Sequence, residues 1–365
     1  MLGWQFGVYF LSIRMKRLSR ADRERFIRKR DRIAKVLEKA RRARRPKRGS
    51  TSSTYVPALR IHAPPVFDCD NNKSRSELVD FLASLRAHFR DTPDRTLLID
   101  FSNTQRFISG GTLLFYAELT RLIEYRQQRV KVRCTVPAND RASQVLEQIG
   151  VYKLCGHRSH GTPTRHDVVH WRVARGHLVD NTICAPVIES FEGQLATPLV
   201  DGLLGGLAEA MANAVHHAYD SVRDDGLTYQ EVKDWWMFSQ AKDGYLSVVF
   251  CDLGVGIPAT IPVKRPWLIK QMEAIGFPVN DANCIKEAIN EGRSQTGLPG
   301  RGHGLGNIID VVEKVPGGMA VVSSNRGRYD FRNGKASSAN FRDSLMGTLI
   351  FWQVPLHEAS RSSEA

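Results

Sequence analysis

Glu209-Ala-Met-Ala-Asn213-Ala-Val-His216-His217-Ala-Tyr219 is the stretch on which the reading of this chain turns, taken together with two later glycine clusters. These are Asp252-Leu-Gly254-Val-Gly256-Ile-Pro258 and Gly300-Arg-Gly302-His-Gly304-Leu305-Gly306-Asn307. Residues four apart share one face of a helix, so Glu209, Asn213 and His217 form a polar stripe on a segment otherwise rich in Ala, Leu and Met. A carboxylate, an amide and an imidazole in line suit a phosphate and its metal. The apolar periodicity extends the helix over 195–218, with interruptions at Gly202, Gly205 and Gly206.

Working outward, Trp235-Trp-Met-Phe-Ser239 and Tyr245-Leu-Ser-Val-Val-Phe250 read as strands joined by the hairpin signal Lys242-Asp-Gly244. The second strand therefore runs directly into the first glycine turn. Residues 259–299 lack a continuous apolar run and hold Gly276, Pro278, Gly292, Gly297 and Pro299, a composition that suits a mobile lid. A helix is expected over 307–315, and strands over 319–323 and 348–354.

Glycine clusters admit other readings. A Walker A loop ends in Gly-Lys-Ser or Gly-Lys-Thr, which this chain lacks. Gly254-Val-Gly256-Ile-Pro-Ala259 fits a dinucleotide fingerprint after a strand, but such a motif opens a strand-helix-strand unit with an acid about 20 residues on, and the lid composition opposes that. All three clusters together, in order and spacing, resemble the GHKL ATPases, the group that includes gyrase, mismatch-repair proteins, histidine kinases and anti-sigma-factor kinases. Glu209 to Asn213 resembles the N box, Asp252 to Gly256 the first glycine box, and Gly302 to Gly306 the second. Gly347-Thr348 is similar to the last motif of that family.

The resemblance implies a Bergerat-type helix layer on a mixed β-sheet over 181–357, with ATP and Mg²⁺ as cofactors. Within it Asp252 accepts the exocyclic amine of adenine, and Gly254 and Gly256 leave room for the base. The Asn213 carbonyl suits Mg²⁺, a hard cation that prefers oxygen. Gly302, Gly304, Leu305 and Gly306 open a helix whose free N–H groups face the phosphates. Thr348 joins the contacts to adenine, His216 and His217 lie by the phosphates, and Glu209 is the general base for water or an acceptor hydroxyl.

The preceding part of the chain reads as an α/β domain over 55–155. Strands are expected at 58–61, 96–101 and 130–135, and helices at 76–90, 111–127 and 142–149, with the helices laid against a central sheet. Leu97-Leu-Ile-Asp100 through Ser109-Gly-Gly111, with residues 137–154 after it, resembles the STAS domain of anti-sigma-factor antagonists. That family carries an Asp-Ser-Ser-Gly turn phosphorylated by a partner kinase. Here Ser109 keeps the first serine, Ile108 replaces the Asp and Gly110 replaces the second serine, the usual acceptor. Ser109 is thus the phosphoacceptor the resemblance offers, against the plainer reading of a helix-capping serine in a structural or docking domain. Residues 156–180 read as a connector with a strand over 168–174. Cys155, His157, His160, His166 and His170 lack the Cys-x-x-Cys spacing of a zinc site and read as part of that polar connector.

Charge is concentrated at one end. Residues 14–48 hold eighteen Lys or Arg against four acids, which accounts for the whole formal net charge of +14. Residues 15–45 read as a basic helix, stopped by Pro46 and Gly49 and followed by the Ser50-Thr-Ser-Ser-Thr54 linker, so that 1–54 is an arm for nucleic acid or a solvated tail for an acidic partner. The apolar lead 1–13 lacks preceding charges and is too short to span a bilayer, so it reads as a short amphipathic lead or as sequence ahead of a start at Met15. Six scattered cysteines favour free thiols in a reducing, cytoplasmic compartment. The resulting expectation is a cytoplasmic ATP-driven regulatory switch of the α/β class, an α+β sandwich with a basic helical arm ahead of it and a short tail, 358–365. It would act on a protein partner, with a homodimer as the assembly considered. The alternative is a nucleic-acid-binding protein gripping DNA or RNA through 15–48, with ATP as a clamp ligand.

Overall fold

A computed structural model of the chain describes residues 58–356, apart from 93, 127–128, 160, 190, 192, 228–232 and 295–304. The arm and linker at 1–54, the tail at 358–365, and Gly300, Gly302 and Gly304 lie outside these residues. From Pro57 onward the chain forms one compact unit. Among the described residues no helix is long and apolar enough to cross a membrane.

The first part carries strands β1 (Leu59–His62), β2 (Val66–Phe67), β3 (Leu97–Asp100), β4 (Arg106–Phe107) and β5 (Val132–Cys134), with helices α1 (Asn72–Asp91), α2 (Ser109–Tyr125) and α3 (Asp140–Gln148). The strands β1, β3 and β5 form a parallel sheet in the order β1-β3-β5. Both α1 and α3 start where an asparagine satisfies an orphan amide: Asn71 accepts from the Ser74 N–H at 2.9 Å and Asn139 from the Ala142 N–H at 3.0 Å. The six expected elements are all present within four residues of their expected ends. The short parallel pair β2-β4 is an addition, held by the stacking of Phe67 on Phe107 at 4.7 Å.

Helices α4 (Val151–Leu154) and α5 (His166–Val169) lead to β6 (Arg172–Gly176), so the strand expected over 168–174 starts later, after a helical turn. There follow α6 (Ala185–Glu189), α7 (Thr197–Asn213), β7 (Trp235–Lys242), β8 (Tyr245–Asp252), α8 (Ile257–Lys264), α9 (Pro266–Ala274), α10 (Asp281–Ser294) and α11 (Gly306–Glu313). The last four strands are β9 (Met319–Ser324), β10 (Gly327–Arg332), β11 (Lys335–Asn340) and β12 (Thr348–Pro355). Strands β6 to β12 form one sheet in the order β11-β10-β9-β12-β8-β7-β6. Every pair in it is antiparallel, which corrects the expected mixed sheet. The reason is local: β7-β8, β9-β10 and β10-β11 are hairpins, and β12 enters between β8 and β9 running against both. Asp243 at φ 53° and Gly244 at φ 76° make the β7-β8 turn as the sequence signal required.

The central strands β7, β8 and β12 of this sheet are covered on both faces. Trp235, Met237, Val248, Phe250, Ile350 and Trp352 pack with α7, α10 and α11, whereas the alternate residues Trp236, Phe238, Val249, Cys251 and Leu349 join the core of the first part. Helix α2 crosses β7 and β8 on that second face. Two covered faces explain why β7 opens with four consecutive large apolar residues instead of alternating. Burying each such side chain stabilises by about 1.5 to 3 kcal/mol, so this contact contributes heavily to the fold.

One expectation is corrected here. Gly202, Gly205 and Gly206 do not interrupt α7, because Gly206 sits against Val311 and Trp352, where a Cβ would approach Val311 to 2.9 Å, and helix–helix contact outweighs weak helix propensity. The segment read as a mobile lid contains α8, α9 and α10, with Pro258 and Pro266 in the first turns of α8 and α9. Its last residues, 295–299, lie outside the described ones.

Candidate functional site

Helix α7 does not end as an α-helix. Its last turn, Ala214–Ala218, widens into a π-helix immediately after Asn213. Such turns leave a carbonyl out of the regular ladder and are frequent at functional sites. Here the Ala218 carbonyl accepts from the Val255 N–H at 2.8 Å, so the first glycine turn is clamped to the end of the helix. A Cβ on Gly254 would lie 2.2 Å from that carbonyl oxygen. The space left by Gly254 is therefore taken by backbone and not by the cavity, which corrects the role expected of it. Gly256 does border the cavity, at φ +85°, a conformation that L side chains rarely adopt.

A cavity of about 170 Å³ opens between α7, α8 and the ends of β8 and β12. Asn213, His217, Asp252, Gly256, Leu305 and Thr348, all expected at one site, line it together. Glu209, His216, Gly254 and Gly306 are not among its lining residues. Gly306 begins α11 next to Leu305, and Gly302 and Gly304 lie outside the described residues. The three-residue stripe thus delivers Asn213 and His217 to the cavity but not Glu209. That residue is half-buried on α7, beside Ala210, which does line the wall.

Asp252 is 5% exposed at the end of β8, with Thr348 directly across from it on β12. Burial pushes its carboxyl up to about 6, although the Gly254 N–H, which donates to Oδ1 at 2.9 Å, and the Thr348 hydroxyl offset part of that shift. Ser324, on the far side of Thr348, accepts from the Ile257 N–H at 2.9 Å and lies 3.1 Å from the Thr348 hydroxyl. The start of α8 is thereby tied to the same polar cluster. The side-chain amide nitrogen of Asn213 is buried without a hydrogen-bond partner. An orphaned polar atom of this kind costs about 1 to 3 kcal/mol, a cost that a bound polar group would remove.

The rim is cationic. Lys264 pairs with Asp220 at 2.7 Å, and Arg265 pairs with Glu291; both also line the cavity. Burial, with Lys264 beside it, lowers the pKa of His217 and favours its neutral form. Ile257, Ile261 and Ile350 supply apolar wall. Asp252 is the one carboxylate among the lining residues, and Lys264 and Arg265 line the same cavity, a donor and acceptor set that fits a nucleobase carrying phosphates. Lys264, Arg265 and Ser324 went unread in the sequence. Pro258 just after a glycine turn was the available sign that a helix starts there.

The cavity is joined to the first part of the chain by buried ion pairs. Arg223, on the segment between the π-turn and β7, pairs with Glu118 of α2 at 2.7 Å and with Asp225 at 2.7 Å, and donates to the Met346 carbonyl at 2.8 Å, two residues before Thr348. Arg121 pairs with Asp225 at 2.7 Å. Burial opposes the charge of Glu118, but Arg223, Arg86 and Arg121 outweigh it and hold the carboxyl at about 2. A second arginine crosses in the other direction. Arg75 of α1, 1% exposed, donates to the carbonyls of Cys69 (3.2 Å), Asn325 (2.6 Å) and Asp343 (3.0 Å). Asn325 in turn donates to the Val255 carbonyl at 2.8 Å, within the first glycine turn.

Ser109 is the first residue of α2 and does not cap it; the cap position is Ile108, with no side-chain hydrogen bond. The capping reading is corrected, because the serine falls one residue inside the helix. All six cysteines are buried and unpaired. Comparison with protein-family models and with curated proteins gives no match to this chain.

Proposed function

We infer that the cavity beside Asp252 binds an adenine nucleotide with Mg²⁺, and that the chain is an intracellular regulatory protein of the GHKL type in which nucleotide occupancy is felt by the STAS-like part. The observation that carries this reading is the meeting of Asp252, Thr348 and the unpartnered Asn213 amide at one cavity with a cationic rim. Asp252 and Thr348 would hold the base, Ile257 and Ile350 would exclude water from it, and Lys264 and Arg265 would hold phosphate oxygens. Mg²⁺, bound through the Asn213 carbonyl, would neutralise phosphate charge. Arg75 of α1 donates to the Asn325 carbonyl behind the first glycine turn, and Arg223 joins Glu118 of α2 to the Met346 carbonyl near Thr348, which supports coupling of the two parts.

Hydrolysis or phosphoryl transfer with Glu209 as base belongs to the same proposal, but the absence of Glu209 from the lining residues favours binding over turnover. That observation also supports the clamp alternative, in which 15–48 holds nucleic acid. Transfer to Ser109 of the same chain is disfavoured. Ser109 shares a cleft with Lys242, at the end of β7 opposite Trp235, and Trp235 is the residue paired with Asp252. Seven strand steps place these ends about 23 Å apart.

The test is incubation of the full chain with Mg²⁺ and terminally labelled ATP. Retention of label by the wild type, loss of metal-dependent retention in Asn213→Ala, and unchanged retention with reduced phosphate release in Glu209→Ala are expected. No retention at millimolar ATP, or equal retention in Asn213→Ala, would overturn the assignment. Salt-sensitive retention on DNA or RNA that is lost when 15–48 is deleted would favour the clamp.

A further inference from the structure

A second cleft, of about 530 Å³, lies where α2 and α3 start and the far end of β7 arrives. It shares no lining residue with the Asp252 cavity. Its size is that of a site for a small organic ligand. Phe107 and Ile108 give it an apolar patch, and four cations border it: Arg106, Arg141, Arg165 and Lys242. Arg141 and Arg165 share a single carboxylate, Asp167, at 2.5 and 3.3 Å, and Lys242 lies 3.5 Å from the exposed Asp243. Arg106 is exposed and has no ion-pair partner among the described residues. The wall itself carries one carboxylate, Asp140, which is held by the side chain of Gln144 at 3.0 Å.

Ser109 faces this cleft. The residue is 8% exposed, and its hydroxyl makes no hydrogen bond among the described residues. It stands in the first turn of a 17-residue helix that has no side-chain cap and no acidic residue in that turn. The first amides of α2 are orphan donors, and the positive end of the helix dipole points with them. A serine hydroxyl that opens on the cleft without a hydrogen bond among the described residues, uncapped amides and a surplus of guanidinium groups share one requirement, a compact anion with several acceptor oxygens.

We propose that this cleft is a binding site for a small phosphomonoester, held by Arg106, Arg165, the Ser109 hydroxyl and the opening turn of α2, with Lys242 contributed from β7. Because β7 belongs to the seven-stranded sheet and α2 to the first part, a ligand here would bridge both parts of the chain. The proposal stands apart from the nucleotide reading, since it uses different residues at the other end of β7.

The experiment is hydrogen exchange on the full chain with ribose 5-phosphate as probe and ribose as control at matched ionic strength. Ribose 5-phosphate is expected to protect the amides of 109–112 and ribose to leave them unchanged. The affinity should fall about tenfold in Arg106→Ala, as expected for loss of a charge-assisted contact. Ser109→Asp supplies its own anion to the helix start and should abolish the response while leaving the melting temperature equal or higher. Absence of protection at 109–112, protection by ribose alone, or a full response in Ser109→Asp would each overturn the proposal.

Discussion

The Arg223 guanidinium donates to both oxygens of the Glu118 carboxylate at 2.7 Å, across 105 residues of chain. Both side chains are almost wholly removed from solvent, at 2% and 1% exposure. Removing one partner would leave the other buried and uncompensated, so Glu118→Ala and Arg223→Ala should each lower stability by about 3 to 5 kcal/mol in urea unfolding. The double variant should lose less than the sum, and strict additivity would show that the pair is not coupled.

The two buried carboxyls give opposite pH responses. Glu118 is held at about 2 against an ordinary 4.5, so its contribution is present above pH 4.5 and is lost as pH falls toward 2. Asp252 is raised to about 6 from an ordinary 3.8, so its contribution is present below pH 3.8 and is lost as pH rises through 6. Asp252→Asn should therefore gain on the order of 3 kcal/mol relative to wild type between pH 3.5 and pH 8. Urea midpoints across that range check it, and a pH-independent difference would contradict the assigned shift.

Gly254→Ala should destabilise by about 1 to 3 kcal/mol, because its Cβ would collide with the Ala218 carbonyl and force the glycine turn away from the π-turn. Thermal unfolding reads the loss. If ATP binding falls as well while Gly202→Ala, where a Cβ meets open space, leaves it unchanged, the clamp between helix and turn is what shapes the cavity.

On the proposed nucleotide reading, Lys264→Ala should weaken ATP about tenfold and flatten the salt dependence of binding, with adenosine unaffected. Titration calorimetry with both ligands separates the two. Equal losses for ATP and adenosine would mean that Lys264 acts through the fold of α8 and not on phosphate.

Much of the fold could be read from the chain because its strongest signals are local. The hairpin at Asp243-Gly244 and the apolar run of β7 needed no knowledge of distant contacts. The pair β10-β11 was missed although Asn333-Gly334 is a hairpin signal, because β11, Lys335 to Asn340, is polar and exposed throughout and shows no apolar alternation. At the cavity, Asp252 and Asn213 stood out by residue type and context. Glu209 shares a regular helical turn with Asn213, so the spacing of four holds there, but a shared helix face does not fix how far along the helix the cavity extends, and Glu209 is not among its lining residues. Arg75, Glu118 and Arg223 carry no sequence signature, since their meaning comes from which backbones the fold lays beside them.

Since Trp236, Phe238, Val249 and Cys251 are covered by the first part of the chain, cutting the polypeptide between 155 and 181 would produce a second fragment with a bare greasy plane. Anyone wishing to produce the two halves separately would face clumping in both, and co-expression is the route by which they would find each other again.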